Sequence, residues 1–276
     1  MKFESFGLSD IGPVRPNNED VWAAKPEIGF FALADGMGGH QAGETAAKET
    51  IDSLTNKIAQ IIRAEHSSDS IARRLKEAIE LSNQWVYRMS REYRAFAGMG
   101  TTLCCLCWTQ EAVIYAHVGD SRVYRLRKDR LERLTEDHSL LAKWEAMGKK
   151  AQECETPYPY KNVITRAIGT QPKANPEVAI SPYEPGDLYF LCSDGLTDVL
   201  SDEEIKEILL QSPSLEKAAI ELIQMAKIKG SHDNITVLMI QREDKNGENL
   251  FRQQLDNGSR SEGARGDVGR SERTSS

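Results

Sequence analysis

The sequence predicts an α+β domain built of packed layers of sheet and helix. Two observations carry this expectation. Helix-like stretches fall in pairs between runs of strand-like segments, whereas a doubly wound sheet would alternate them one for one. Apolar segments at 101–108, 113–118 and 122–126 are separated only by short polar turns, the signature of a β-meander. A third feature bears on chemistry: several apolar strands run into, or begin directly after, an aspartate beside a glycine or asparagine.

In chain order, Gly29-Phe30-Phe31-Ala32-Leu33-Ala34 is a short apolar run that stops at Asp35-Gly36, a buried strand ending in a turn. After Gly43, Ala47, Ile51, Leu54, Ile58 and Ile61 recur on one face of a helix. A second helix carries Ile71, Leu75, Ala78, Val86, Met89 and Tyr93, and its pattern ends near Gly98. The meander follows, and 131–135 adds a short strand. Residues 139–147 read as a helix with Ser139 at its N-cap. The polar stretch 148–162, with Pro157 and Pro159, reads as a mobile loop or flap. A strand at 188–192 runs into Ser193-Asp194-Gly195, helical stretches at 205–210 and 215–226 come next, and 235–240 is the last strand. From Asp244 onward Gly, Ser, Arg, Glu, Asp and Asn dominate. So few apolar side chains cannot offset the entropy of ordering. The expected organisation is one domain over residues 1–243 and a disordered, solvated charged tail over 244–276.

The chain's 276 residues are ample to bury a core. A net charge of −7 argues against nucleic acid as a partner and suits a protein that holds cations. The cysteines, Cys104, Cys105, Cys107, Cys154 and Cys192, are odd in number and irregularly spaced, so no disulfide framework is expected. Cys104, Cys105, Cys107 and Cys192 lie in apolar runs and read as reduced core residues. The start lacks a signal-peptide core, and no stretch approaches the roughly 18 apolar residues of a membrane helix. A soluble, cytoplasmic monomer is expected, with no membrane partner. The Asn-Ile-Thr at 234–236 then reads as a chance match to a glycosylation acceptor.

Asp35-Gly36, Gly119-Asp120, Asp194-Gly195 and Asp233-Asn234 all stand at strand ends. Any one of them alone is a common turn, and Asp198 alone could be a helix cap. Together they suggest carboxylates gathered at one edge of a sheet. Like charges at close range repel, so such a cluster needs cations or protons. Hard divalent ions such as Mg²⁺ and Mn²⁺ take oxygen ligands, whereas Zn²⁺ would call for His and Cys pairs that are missing here. Two bridged ions can lower the pKa of a shared water and clamp a phosphoryl group.

Residues 9–20 read Ser-Asp-Ile-Gly-Pro-Val-Arg-Pro-Asn-Asn-Glu-Asp, and 33–44 read Leu-Ala-Asp-Gly-Met-Gly-Gly-His-Gln-Ala-Gly-Glu. Gly100-Thr101-Thr102, Val118-Gly119-Asp120-Ser121-Arg122, Ser193-Asp194-Gly195 and Asp233-Asn234-Ile235-Thr236 follow. In this order and spacing, over residues 5–240, the chain resembles the metal-dependent serine/threonine protein phosphatases of type 2C in their bacterial form. Each piece is weak, but the ordered set is highly specific.

The resemblance implies a four-layer α/β/β/α sandwich, two antiparallel sheets flanked by helix pairs, with Mn²⁺ or Mg²⁺ at one end. Asp35 would bridge two ions and the Gly36 carbonyl would bind one of them. Asp194 and Asp233 would complete the second ion's shell. Asp20 would hold the first, partly through water, with Glu19 nearby. Asp120 and Asp198 would bind a weaker third. Arg15 would grip the substrate phosphate, its planar fork suiting phosphate oxygens. His40 would protonate the leaving serine or threonine oxygen. Asn234 would orient waters or a neighbouring ligand. The implied reaction is direct hydrolysis by a metal-bridging hydroxide without a phospho-enzyme. The implied partners are phosphoproteins and a serine/threonine kinase that makes them. One departure stands out: Tyr158-Pro159 precedes Asn162-Val163-Ile164-Thr165-Arg166 where the family often has His-Pro.

Rival enzyme classes lack their signatures. No Cys has an Arg six positions on, the Gly36–Gly39 run has no Walker Lys-Ser/Thr, and no Gly-x-Ser-x-Gly elbow occurs. A catalytically silent binding protein of the same fold would be expected to lose carboxylates, yet Asp20, Asp35, Asp194 and Asp233 are all present. A phosphatase dedicated to one partner shares the chemistry and is not separable from a broad one at this level.

Overall fold

The structure, a computed structural model, describes residues 1–38, 41–65, 67–147 and 163–243. The expected flap and tail, 148–162 and 244–276, lie outside the described residues, as do His40 and Cys154. The strands are β1 (Phe3–Asp10), β2 (Asp20–Lys25), β3 (Phe30–Met37), β4 (Gly100–Thr101), β5 (Leu103–Trp108), β6 (Ala112–Val118), β7 (Arg122–Arg127), β8 (Arg130–Arg133), β9 (Glu177–Pro182), β10 (Leu188–Cys192) and β11 (Ile235–Arg242). The helices are α1 (Gln41–Ala64), α2 (Ser68–Glu92), α3 (Leu140–Ala146), α4 (Asp194–Thr197), α5 (Asp202–Gln211) and α6 (Leu215–Ile228). One sheet runs β2-β3-β5-β6-β9 with β4 attached to β3, and the other runs β1-β11-β10-β7-β8. Every pairing is antiparallel.

Apolar alternation along the strands divides the core into layers. Phe31, Leu33, Cys104, Leu106 and Trp108 of the first sheet meet Val123, Tyr189, Leu191, Leu238 and Ile240 of the second between the sheets. The opposite faces carry Phe30, Ala32, Cys105 and Cys107 against α1 and α2, and Tyr124, Phe190, Val237 and Met239 against α5 and α6. This is the expected four-layer sandwich. Cys104, Cys105, Cys107 and Cys192 are free and buried, as their apolar surroundings indicate. No helix among the described residues is long and apolar enough to cross a membrane.

Local differences have physical causes. The strand expected over 101–108 is two, β4 and β5, broken at Thr102, whose N–H and hydroxyl turn instead to the Asp35 backbone. The second helix stops at Glu92, and a single 3₁₀ turn, Arg94–Phe96, carries the chain to Gly98. β1, β2 and β9 escaped the sequence reading. β1 is half-buried along its whole length and β9 is an edge strand, so neither shows a clean apolar run. Ser139 caps α3 as expected, its Oγ accepting from the Ala142 N–H at 3.1 Å. Asp198, however, closes α4 at its C-terminus, while α5 is capped by Ser201 in a capping box with Glu204.

Antiparallel pairing brings the functional ends together. In the first sheet Asp20 opposes Asp35, and Leu103 opposes Val118, so the start of β2, the ends of β3 and β6 and the start of β5 share one edge. In the second sheet Cys192 opposes both Arg122 and Val237, and Asp10 opposes Ile235. Hydrogen bonds from Ser193 and Thr236 to Asp20 join the two edges.

The inter-sheet layer is held by edge-to-face aromatics, with Trp108 5.2 Å from Phe3, 5.5 Å from Phe31 and 5.0 Å from Tyr189. Trp108→Ala is expected to cost about 3–5 kcal/mol in urea unfolding. Leu81→Ala, on an exposed stretch of α2, is expected to change stability by about 0.5 kcal/mol or less. Equal losses for the two would contradict this assignment of the core.

Candidate metal centre

The rigid strand ends deliver six carboxylates to one neighbourhood. Asp35 feels the charges of Asp20, Asp194, Asp233 and Asp120, and Asp194 feels those of Asp120, Asp233, Asp198 and Asp20. Burial comes first in pushing Asp35 and Asp194 well above the usual carboxylate range, and this mutual repulsion adds to it. Burial likewise raises Asp20 to about 6, against the lowering effect of its hydroxyl partners. Asp120 is raised to about 7 by burial and then by Asp137. The sequence-derived residues Asp20, Asp35, Asp120, Asp194, Asp198 and Asp233 are thus brought together.

Three of these carboxylates aim an oxygen at nothing. Asp20 Oδ1, Asp120 Oδ1 and Asp194 Oδ1 are buried without a hydrogen-bond partner among the described residues. Buried oxygens of this kind are normally satisfied, so a cluster of them fits hard cations that take oxygen ligands. The donor set is all oxygen, which suits Mn²⁺ or Mg²⁺ and not Zn²⁺.

Asp20 and Asp35 are held by hydroxyl-bearing residues to which the sequence assigned no role. Asp20 Oδ2 accepts from Ser193 Oγ at 2.8 Å and from Thr236 Oγ1 at 2.6 Å. Behind Thr236, Ser9 Oγ lies at 2.6 Å and receives the Asn18 amide at 2.7 Å. Asp35 is held through its backbone: its N–H donates to Thr102 Oγ1 at 3.0 Å, and its carbonyl accepts from Thr101 Oγ1 and the Thr102 N–H, both at 2.8 Å. These hydroxyls sit inside the quoted motifs, but their partners lie in other segments, so only the fold reveals their task.

Gly36 and Gly43 mark a close crossing of backbones. A Cβ on Gly36 would lie 2.3 Å from the Gly43 carbonyl oxygen, and one on Gly43 would lie 1.9 Å from a Glu19 carboxylate oxygen. Glu19 also receives the Gly36 N–H on its own carbonyl. Asn234, expected to orient waters or a neighbouring ligand, donates its backbone N–H to Asp233 Oδ1 at 2.8 Å and uses its side-chain amide on backbone groups. Its Oδ1 accepts from the Glu19 N–H, and its Nδ2 donates to the Ile11 and Asn17 carbonyls. It pins the loop that carries Arg15 and the Asn-Glu-Asp motif. Buried and engaged in this way, Asn234 is no acceptor for a glycan, which agrees with the chance match expected. Arg15 stands at the rim of the cluster, its side chain 52% exposed, with Nη2 2.6 Å from Asp233 Oδ2.

Comparison with known proteins agrees with this centre. Residues 16–233 match the family described as protein phosphatase 2C. The chain is 35% identical over 237 residues to the serine/threonine phosphatase stp of Listeria innocua, covering 85% of this chain and 94% of that protein. It is 32% identical over 244 residues to the protein phosphatase PhpP of Streptococcus pneumoniae, covering 87% and 98%. The crystal structure of the Mycobacterium tuberculosis serine/threonine phosphatase PstP/Ppp superposes with a TM-score of 0.78 at 33% identity, covering 87% of this chain and 99% of that one. A structure of the PstP catalytic domain in complex with two manganese ions gives 0.74 at 33% identity, covering 87% and 97%. Together with the clustered, unpartnered carboxylates, these matches establish that the chain belongs to the protein phosphatase 2C family and is a metal-dependent serine/threonine protein phosphatase.

Proposed function

We propose that the enzyme hydrolyses phosphoserine and phosphothreonine in proteins at a two-ion Mn²⁺ or Mg²⁺ centre held by Asp20, Asp35, the Gly36 carbonyl, Asp194 and Asp233. Asp120 and Asp198 hold a weaker third ion. The observation that carries this reading is the set of buried, unpartnered oxygens on Asp20, Asp120 and Asp194 within a mutually repelling cluster. When bound, the ions would lower the pKa of a water so that it can act as nucleophile at neutral pH, and would offset charge at the phosphoryl group.

The chain's own residues do the rest. Ser193 and Thr236 fix which Asp20 oxygen faces the ions, since both donate to the other one. Arg15 has five N–H donors and uses one on Asp233, which leaves others for the substrate's phosphate oxygens. His40, carried over from the family resemblance, gives a proton to the departing serine or threonine oxygen. The phosphoproteins it acts on are those made by a serine/threonine kinase of the same cell. Phosphoproteomics of a deletion strain should show kinase-dependent sites rising, and no rise would remove that pairing.

Release of phosphate from a phosphothreonine peptide is expected to need Mn²⁺ or Mg²⁺ and to stop with chelator. Asp194→Asn should lower kcat/KM by ~10²-fold or more, because several kcal/mol of charge stabilisation leaves with the ion. Arg15→Ala should lower it by ~10–10²-fold, matching one or two charged hydrogen bonds, and Arg15→Lys should not restore it. Full activity in Asp194→Asn would end the two-ion reading.

The raised carboxylates also fix a pH dependence. In the ion-free enzyme at pH 6, Asp120, at about 7, is mostly protonated and Asp20, at about 6, is about half protonated, and an incoming ion must displace those protons. Mn²⁺ affinity should therefore climb as pH rises through 6 to 7, and binding at pH 6 should release protons. Calorimetry in two buffers of different ionisation enthalpy measures this. Absence of release at pH 6 would mean that the cluster is already ionised without its ions.

A further inference from the structure

Away from the carboxylates, a second group of titratable side chains lies where the first sheet meets the loop 134–139. His117 and His138 stack with ring centroids 4.4 Å apart, and Glu177 reaches His138 Nε2 at 3.1 Å. The ligand atoms of these three lie close enough together for a metal ion, but their hydrogen bonds argue against one. His138 Nδ1 accepts from the Gly119 N–H at 3.2 Å, which puts the ring proton on Nε2, where Glu177 Oε1 at 3.1 Å accepts it and Arg166 Nη1 also lies at 3.1 Å. His117 Nε2 donates to the Glu136 carbonyl at 2.7 Å. The Glu177 carboxylate already holds the Arg166 guanidinium at 2.8 Å. A metal-bound imidazole donates its second N–H, whereas His138 must accept there.

What the group does is visible in its connections. His138 grips Gly119 twice, through Nδ1 and through its own N–H, which donates to the Gly119 carbonyl at 2.9 Å. Gly119 has φ +107° and abuts Thr102, so this turn has little freedom. The next residue is Asp120, with its unpartnered Oδ1. On the other side, the His138 carbonyl accepts from Thr165 N at 2.7 Å and from Thr165 Oγ1 at 2.9 Å, and Ser139 pairs with Ile164. Asp137 is locked by Arg122, Nη2 to Oδ2 2.7 Å. A continuous path thus runs from the exposed Arg166–Glu177 pair through a buried imidazole to the Gly119–Asp120 turn.

We propose that His138 is a positioning residue for Asp120, through which the Arg166–Glu177 pair sets the enzyme's affinity for its weaker metal ion. This rests on the reading of Asp120 as a ligand of that ion. Burial, reinforced by His117 and Arg166, lowers the His138 pKa to about 4, so the ring stays neutral and the Nδ1 lone pair stays on Gly119 at working pH.

The test is Mn²⁺ titration calorimetry of the full chain, resolving tight and weak classes of site, beside thermal melts. His138→Gln keeps a donor near Nε2 but loses the acceptor facing Gly119, and should weaken the weak class by ~10-fold or more while the tight class holds. His138→Asn places an oxygen near Nδ1 and should recover most of that affinity, a rescue that a merely space-filling role would not give. Glu177→Ala alters a side chain that is 53% exposed, so it keeps the test open if His138→Gln does not fold, and it should weaken the weak class by about 3-fold, a smaller step than direct loss of the Gly119 acceptor. Asp120→Asn is the control. If it removes the weak class while His138→Gln and Glu177→Ala leave that class unchanged, the proposal fails and the ligand reading stands. If Asp120→Asn leaves the weak class intact, the ligand reading fails and takes the proposal with it.

Discussion

The mutual repulsion of aspartates buried at the ends of two rigid sheets governs this molecule. A flexible loop could relieve such crowding by turning its carboxylates outward, but a strand end cannot, because its direction is set by pairing and by the core behind it. Asp20 and Asp35 face each other across β2 and β3, and Asp194 and Asp233 flank the adjacent ends of β10 and β11. The cost of holding them together remains until cations or protons offset it. The sandwich supplies the stability that tolerates this cost, through the aromatic layer between the sheets and the helices packed outside them.

Hydroxyl groups convert crowding into geometry. Asn18, Ser9, Thr236 and Ser193 form a hydrogen-bonded chain that ends on one oxygen of Asp20, so the other oxygen is committed to the interior of the cluster. Thr101 and Thr102 do the same for Asp35 through its backbone. Such networks specify orientation more than they stabilise, since each hydrogen bond adds about 1 kcal/mol net. Their value is that a divalent ion entering the proposed centre would meet oxygens already aimed, the entropy of aiming them having been spent during folding.

This division of labour explains what could be read from the chain and what could not. Strands buried on both faces, β3, β5, β6, β10 and β11, are continuous apolar runs and were legible. β1 and β9 were not, because an edge strand alternates only weakly and draws its order from its neighbour. The carboxylates were legible as residue types in an ordered motif set. Asp198, which alone could be a helix cap, closes the C-terminal end of a single helical turn, and Ser201 caps the start of the next helix. Asn234 looked like a ligand-orienting amide, and the actual partners of its side chain, Ile11, Asn17 and Glu19, lie more than 200 residues away in sequence. Long-range hydrogen bonds of this kind have no periodicity and so leave no local pattern.

Arg15 extends the same electrostatics to the rim of the cluster. Its pair with Asp233 is short but lies at the rim, and an ion pair so exposed contributes only about 0–1 kcal/mol. A pair that weak does not hold Arg15 away from a phosphate, yet it keeps the guanidinium pointed at the cluster while no phosphate is present. Asp233 is oriented by the same contact at Oδ2 and by the Asn234 N–H at Oδ1, so the residue proposed to grip the substrate and a residue proposed to hold the ions share one hydrogen bond. An arriving dianionic phosphoryl group brings charge that Arg15 can meet without leaving Asp233, because the guanidinium's remaining donors lie in the same plane. In the proposed mechanism, substrate grip and ion binding are therefore coupled through this exposed contact, with Arg15 serving the centre as a counter-charge as well as a hand for the phosphate.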